Sequence, residues 1–204
     1  MSRTRTAILI SGRGSNMAAL IEAAKAEDYP AEIVGVLSNR AAAEGLKLAA
    51  AEGIATASLA QSQFPSRDMF EDVLTQILES WDTELVCLAG FMRVLGEDFV
   101  NRWQGRLINI HPSLLPLYKG LDTHARALAD GATRHGCTVH FVTPGLDEGT
   151  AILQAEVPVL PGDTPDTLAA RVLVEEHRLY PEAVRQLASG ALGPLGSFNP
   201  AVLQ

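Results

Sequence analysis

Aromatic side chains make up only 5% of the 204 residues, so Ala, Leu, Val and Ile must fill the core. That shortage disfavours an aromatic-rich β-sandwich and suits close packing of helices on a sheet. Cysteine is nearly absent as well. Cys87 and Cys137 form no CxxC pair, and Cys87 lies inside the apolar run Leu85-Val86-Cys87-Leu88-Ala89. Both read as reduced, packed thiols rather than as a disulfide staple or a redox pair. Positive charge is also scarce: 16 Lys and Arg against 24 Asp and Glu leave a formal charge of −8. Nucleic acid is held by neutralising its phosphates, so this balance argues against such a partner. A small phosphorylated ligand needs only a few local donors and stays open. The apolar segment that follows the polar Met1 to Thr6 is too short to span a bilayer, and no small-residue cleavage site follows it. The expectation is a cytoplasmic protein with no membrane partner.

Several catalytic signatures are missing too. The chain has no GxSxG elbow, no HExxH and no Cys/His cluster at metal-ligand spacing. His135 and His140 flank Cys137, but a turn residue and a strand residue make a poor ligand pair, so no metal is expected. A reaction whose nucleophile is the substrate itself would account for the lack of an enzymatic one.

What the chain does have is an alternation of short apolar runs with helix-like stretches. Ala7–Ile10, Glu32–Leu37, Ile54–Ser58 and Leu85–Ala89 read as strands. Helices are expected over Ser15–Ala26, Glu44–Glu52 and Ser66–Ser80. This order predicts a parallel sheet with crossover helices on both faces, Rossmann-like in its first half. The second half is less regular. Leu107–Ile110 reads as a strand, Thr123–Asp130 as a helix, and Thr138–Val142 with Ile152–Val159 as strands of antiparallel character. Thr164–Leu187 reads as one long helix, capped by Thr164, with Pro165 in its first turn and Pro181 expected to kink or end it. With no repeat, linker or composition break, residues 1–204 are expected to form a single domain.

Three segments could carry chemistry. Ser11-Gly12-Arg13-Gly14-Ser15-Asn16 lies between a strand and a helix, where glycines let the backbone approach an anion at a helix N-terminus. A dinucleotide fingerprint would need a glycine where Met17 stands and an acid where Ser38-Asn39-Arg40 stands. A P-loop fails as well. A small phosphate site and a tight turn with Ser15 or Asn16 capping the helix both remain. In Leu107-Ile108-Asn109-Ile110-His111-Pro112, Asn109 and His111 project from one face of a strand that Pro112 stops. An amide donor beside an imidazole at a strand's C-terminal edge suits a developing oxyanion plus a proton transfer, or else a satisfied structural histidine. Asp147, in Thr143-Pro144-Gly145-Leu146-Asp147-Glu148-Gly149-Thr150, is a loop aspartate between glycines.

Gly12-Arg13-Gly14-Ser15-Asn16, Ala89-Gly90-Phe91-Met92-Arg93, Asn109-Ile110-His111-Pro112-Ser113-Leu114-Leu115-Pro116 and Leu146-Asp147-Glu148-Gly149 occur in that order. Together they resemble the phosphoribosylglycinamide formyltransferases, folate-dependent enzymes of purine synthesis. The resemblance implies a formyltransferase-type fold and Asn109, His111 and Asp147 as catalytic residues. It implies Gly14, Ser15, Asn16 and Glu176 at the ribonucleotide, and Arg67, Met92, Arg93, Val94, Leu95 and Asn109 at the folate. The co-substrate would be 10-formyltetrahydrofolate, with no metal, and the molecule a monomer or homodimer. Alternatives are a 10-formyltetrahydrofolate hydrolase, with water replacing the amine, and a noncatalytic module that senses a phosphorylated ligand.

Overall fold

The computed structural model describes residues 2–196. A strand covered on both faces must be apolar throughout. In β1 (Thr4–Ile10) the run Ala7-Ile8-Leu9-Ile10 is fully buried, and all of β4 (Leu85–Leu88) is buried. These strands lie in a seven-stranded sheet ordered β3-β2-β1-β4-β5-β6-β7. Its other members are β2 (Ala31–Ser38), β3 (Ala55–Ser58), β5 (Leu107–His111), β6 (Arg134–Phe141) and β7 (Ala151–Pro158). Strands β1 to β5 pair in parallel, whereas β6 and β7 run antiparallel. The expected mostly parallel α/β sheet, Rossmann-like in its first half, is what forms.

Alternation along the strands divides the core in two. Ile8, Ile10, Cys87, Ile108 and Ile110 pack with α1 (Ser15–Ala24) and α6 (Pro165–Ala188). Ala7, Leu9, Val86, Leu88 and Leu107 pack on the opposite face with α3 (Arg67–Ser80) and α4 (Glu97–Arg102). Asn109 and His111 continue the Leu107 alternation, so they stand on the α3/α4 face. Helices α2 (Glu44–Ala51) and α5 (Thr123–Ala129) complete the set. Both cysteines are free and buried, and burial pushes each thiol up to about 12. Among the described residues no helix is long and apolar enough to cross a membrane.

The structure corrects three local expectations and adds one helix, α4, that no reading of the sequence placed. Helix α1 stops at Ala24 rather than Ala26, where Lys25 and Ala26 tighten onto the carbonyls of Glu22 and Ala23. Strand β6 begins at Arg134, ahead of Thr138, because pairing with β7 already starts at Arg134 opposite Pro158. The short helix α4 has too few turns to show a periodic pattern. Pro181 does not end α6, which continues to Ala188. A proline inside a helix costs about 3 kcal/mol. Leu179, Tyr180, Ala183 and Val184 are buried on both sides of it, and each large apolar side chain contributes about 1.5–3 kcal/mol by burial. Packing therefore outweighs the lost hydrogen bond.

Tyr180 ties this helix to the sheet edge that matters. Its buried hydroxyl donates toward the carbonyls of Leu88 (3.0 Å), at the end of β4, and Ile108 (3.3 Å), near the start of β5. Tyr180→Phe keeps the ring but removes the hydroxyl's bonds to those carbonyls, and is expected to lower unfolding free energy by about 0.5–1.5 kcal/mol. Urea denaturation, read with an unchanged m-value, would measure the loss.

Candidate active site

In an open parallel sheet the ligand crevice lies at the carboxyl edge, where successive connections leave a strand in opposite directions. Here β1 is flanked by β2 on one side and β4 on the other, which makes the gap between β1 and β4 that switch point. The Gly12–Asn16 turn follows β1, the Gly90–Leu95 loop follows β4, and Asn109 and His111 end β5 next to it. Sheet topology thus gathers segments that are far apart in sequence.

Asn109 lies directly across from His140 in the β5–β6 ladder, and its Nδ2 is 3.2 Å from His140 Nε2. His140 Nδ1 is 2.9 Å from the Phe141 carbonyl, which can only accept, so Nδ1 carries the hydrogen. Burial lowers the His140 pKa, against the opposing pull of the Phe141 carbonyl and Asp147. A neutral ring with Nδ1–H leaves Nε2 as an acceptor, so the Asn109 amide donates to it. His140 thereby sets which way Asn109 faces.

His111 is 5% exposed. Its Nε2 is 2.9 Å from the Tyr118 carbonyl and donates to it, while Nδ1 faces Asp147 Oδ2 at 3.4 Å. The carboxylate of Asp147 also stands 3.7 Å from His140 Nε2 and accepts the Gly120 N–H at 2.8 Å. Asp147 itself has φ 51, with Tyr118, Gly120 and Asp122 in the same left-handed region. The Tyr118–Asp122 segment and the Asp147 turn therefore close over His111. Thr138 holds the chain that leads from β5 toward this segment, donating to the Ser113 carbonyl and accepting the Leu115 N–H.

A cleft opens beside these groups, lined by Arg93, Val94, Leu95, Asn109, His140 and Asp147 among others. His111 is not in its wall; its Nδ1 meets Asp147, which is. Arg67 and Met92 do not line it either. Arg67 lies 3.8 Å from buried Glu71, whose carboxylate accepts the Gly96 N–H at 2.7 Å. Met92 is 61% exposed, and its backbone N–H is held by Ser11.

At the first turn Gly14 is the helix N-cap, with φ 74, and no side chain caps α1. The reading of Ser15 or Asn16 as a cap does not hold. A Cβ at Gly14 would meet Met17 Cε at 3.0 Å and the Gly45 backbone at 3.2 Å, so glycine is required both by conformation and by space. The first N–H groups of α1 take no side-chain cap, as anion binding at a helix N-terminus needs. Asn16 instead turns inward, donating from Nδ2 to Glu176 Oε2 at 2.6 Å. Burial raises the Glu176 pKa, and Asn16 opposes this.

Two residues escaped the reading of the sequence. His140 could be found only once its cross-strand position opposite Asn109 was known. Ser11 carries no motif beyond its place before the glycines. His135, the other suspected ligand, meets His124 at 3.1 Å rather than Cys137 or His140.

A formyl transferase family model matches residues 4–184, and the chain belongs to that family. Its relatives include proteins named phosphoribosylglycinamide formyltransferase. Phosphoribosylglycinamide formyltransferase of Escherichia coli is 48% identical over 185 residues, covering 91% of this chain and 87% of that one. The crystal structure of phosphoribosylglycinamide formyltransferase from Brucella melitensis superposes with a TM-score of 0.89 at 53% identity, over 93% of this chain and 97% of that one. The trifunctional purine biosynthetic protein adenosine-3 of Drosophila pseudoobscura is 50% identical over 93% of this chain, which spans only 14% of its length.

Proposed function

We propose that the chain transfers the formyl group of 10-formyltetrahydrofolate to the amine of 5'-phosphoribosylglycinamide in purine biosynthesis, acting in the cytoplasm. A single formyltransferase domain over 1–204 belongs to the same proposal; Met1 and residues 197–204 of it lie outside the described residues. The observation that carries this reading is the meeting of Asn109, His111 and Asp147 beside a phosphate-type turn at the sheet's switch point.

The ribonucleotide phosphate would sit on the N–H groups of Gly14, Ser15 and Asn16, with Glu176 accepting from a ribose hydroxyl. The folate would enter past Arg93, Val94 and Leu95, with Arg67 and Met92 along its outer course. Binding both substrates at one edge removes the entropic barrier to their encounter. The amine lone pair forms the new C–N bond while the carbonyl pair moves onto the formyl oxygen. One Asn109 amide hydrogen is used on His140, and the other is left for that oxyanion. His111 supplies the second donor and the proton route to the folate nitrogen, whose bond to the formyl carbon then breaks. Asp147 holds negative charge against His111 Nδ1. For His111 to reach substrate, Nε2 must exchange the Tyr118 carbonyl for it, which requires the Tyr118–Asp122 segment to shift.

Incubation with the ribonucleotide and formyl-labelled folate tests this, with the expected label appearing in N-formylated ribonucleotide. Label appearing only as free formate would instead establish hydrolysis, and binding without turnover would establish a sensing module.

Asn16→Asp sets a second carboxylate against Glu176, where the two side chains now meet at 2.6 Å. Like charges at that distance repel, so ribonucleotide affinity is expected to fall while folate affinity holds. Calorimetry on each ligand separates the two; equal weakening of both would make the turn purely structural. Turnover is also expected to survive chelation and dialysis, and a loss with EDTA that zinc restores would refute a metal-free reaction.

A further inference from the structure

Ser11 closes β1 and opens the phosphate turn, and it is 3% exposed. Its backbone N–H donates to the Gly90 carbonyl at 3.1 Å. Its hydroxyl donates to Asn39 Oδ1 at 2.6 Å and accepts the Met92 N–H at 2.7 Å. With its single hydrogen committed to Asn39, the hydroxyl is locked with a lone pair toward Met92. Loops following β1, β2 and β4 therefore meet on one buried side chain. Beyond that contact the β4 loop runs exposed through Met92 and Val94, 61% and 71% accessible, until Glu71 takes the Gly96 N–H.

We infer that Ser11 is a positioning residue that couples the two substrate sites, each ligand tightening the other through this hydroxyl. The inference rests on the two-substrate reading above. An anion on the first N–H groups of α1 holds the turn, and with it Ser11. A fixed Ser11 hydroxyl in turn fixes Met92, so part of the ordering needed at the folate loop is already complete before the folate arrives. Linkage makes the effect reciprocal. A hydroxyl that served stability alone would lower the melting temperature and leave this mutual effect intact.

Calorimetry with glycinamide ribonucleotide and tetrahydrofolate, a pair that cannot react for want of a formyl group, measures each affinity alone and with the other ligand saturating. In the wild type each ligand is expected to tighten the other by the same factor, about fivefold or more. In Ser11→Ala that factor is expected to fall below about twofold, with affinities for single ligands changing less than the coupling. Asn39→Ala keeps the hydroxyl but releases its hydrogen, and is expected to fall between the two; it carries the test should Ser11→Ala not fold. Undiminished coupling in the folded variant, or a wild-type factor near one, would overturn the inference while leaving the reaction untouched. A wild-type protein that binds neither ligand would overturn the functional reading and this inference together.

Discussion

His111→Ala is expected to lower kcat by about 10²–10⁴, the range set by loss of a positioned acid or base. The side chain is small, buried and bonded to the Tyr118 carbonyl, so its removal should loosen the Tyr118–Asp122 segment but spare the sheet. Ligand affinities and the circular dichroism spectrum are therefore expected to stay near those of the wild type. The geometry adds a second expectation. Because His111 Nε2 is bonded to the Tyr118 carbonyl, the proposed proton transfer would have to wait for the Tyr118–Asp122 segment to release it. Pre-steady-state kinetics on the wild type should then show a step that precedes formyl transfer and is lost, or becomes irrelevant to rate, in the variant. Near-full turnover in purified His111→Ala would end the role assigned to it.

Asn109→Ala is expected to cost about 10²–10³ in kcat if its amide meets the oxyanion. Here the neighbouring histidine sharpens the expectation. His140 must be neutral at Nε2 to accept from Asn109, and burial lowers its pKa. As pH falls through that lowered value Nε2 gains a hydrogen, the acceptor becomes a donor, and the amide loses its orientation. The wild type should thus keep an acid limb that lies below the ordinary imidazole range, and Asn109→Ala should lack it. A pH–rate profile on both proteins reads the difference; an acid limb that survives in the variant would assign it to another group.

Much of the fold could be read from the order of residues. Apolar runs such as Ala7-Ile8-Leu9-Ile10 and Leu85-Val86-Cys87-Leu88 have no polar position, which only a doubly covered parallel strand tolerates. The shared face of Asn109 and His111 followed from strand alternation alone. What stayed hidden depended on long-range contacts. The Asn16–Glu176 bond joins residues 160 positions apart, and no local pattern announces it. His140 became meaningful only through its register with Asn109. The helix runs on past Pro181 because burial on either side, which no local pattern shows, outweighs a local penalty of about 3 kcal/mol. Asp147 looked like a turn residue because it is one, with φ 51; its contact with His111 comes from where the turn is folded.

The central claim is that an amine, not water, receives the formyl group. The measurement that tests it most directly is the rate of tetrahydrofolate release from 10-formyltetrahydrofolate with and without glycinamide ribonucleotide. Release is expected to depend on the amine, to saturate with it, and to match formation of the N-formylated ribonucleotide mole for mole. Equal release in its absence, with formate as the product, would contradict the account and make the chain a hydrolase.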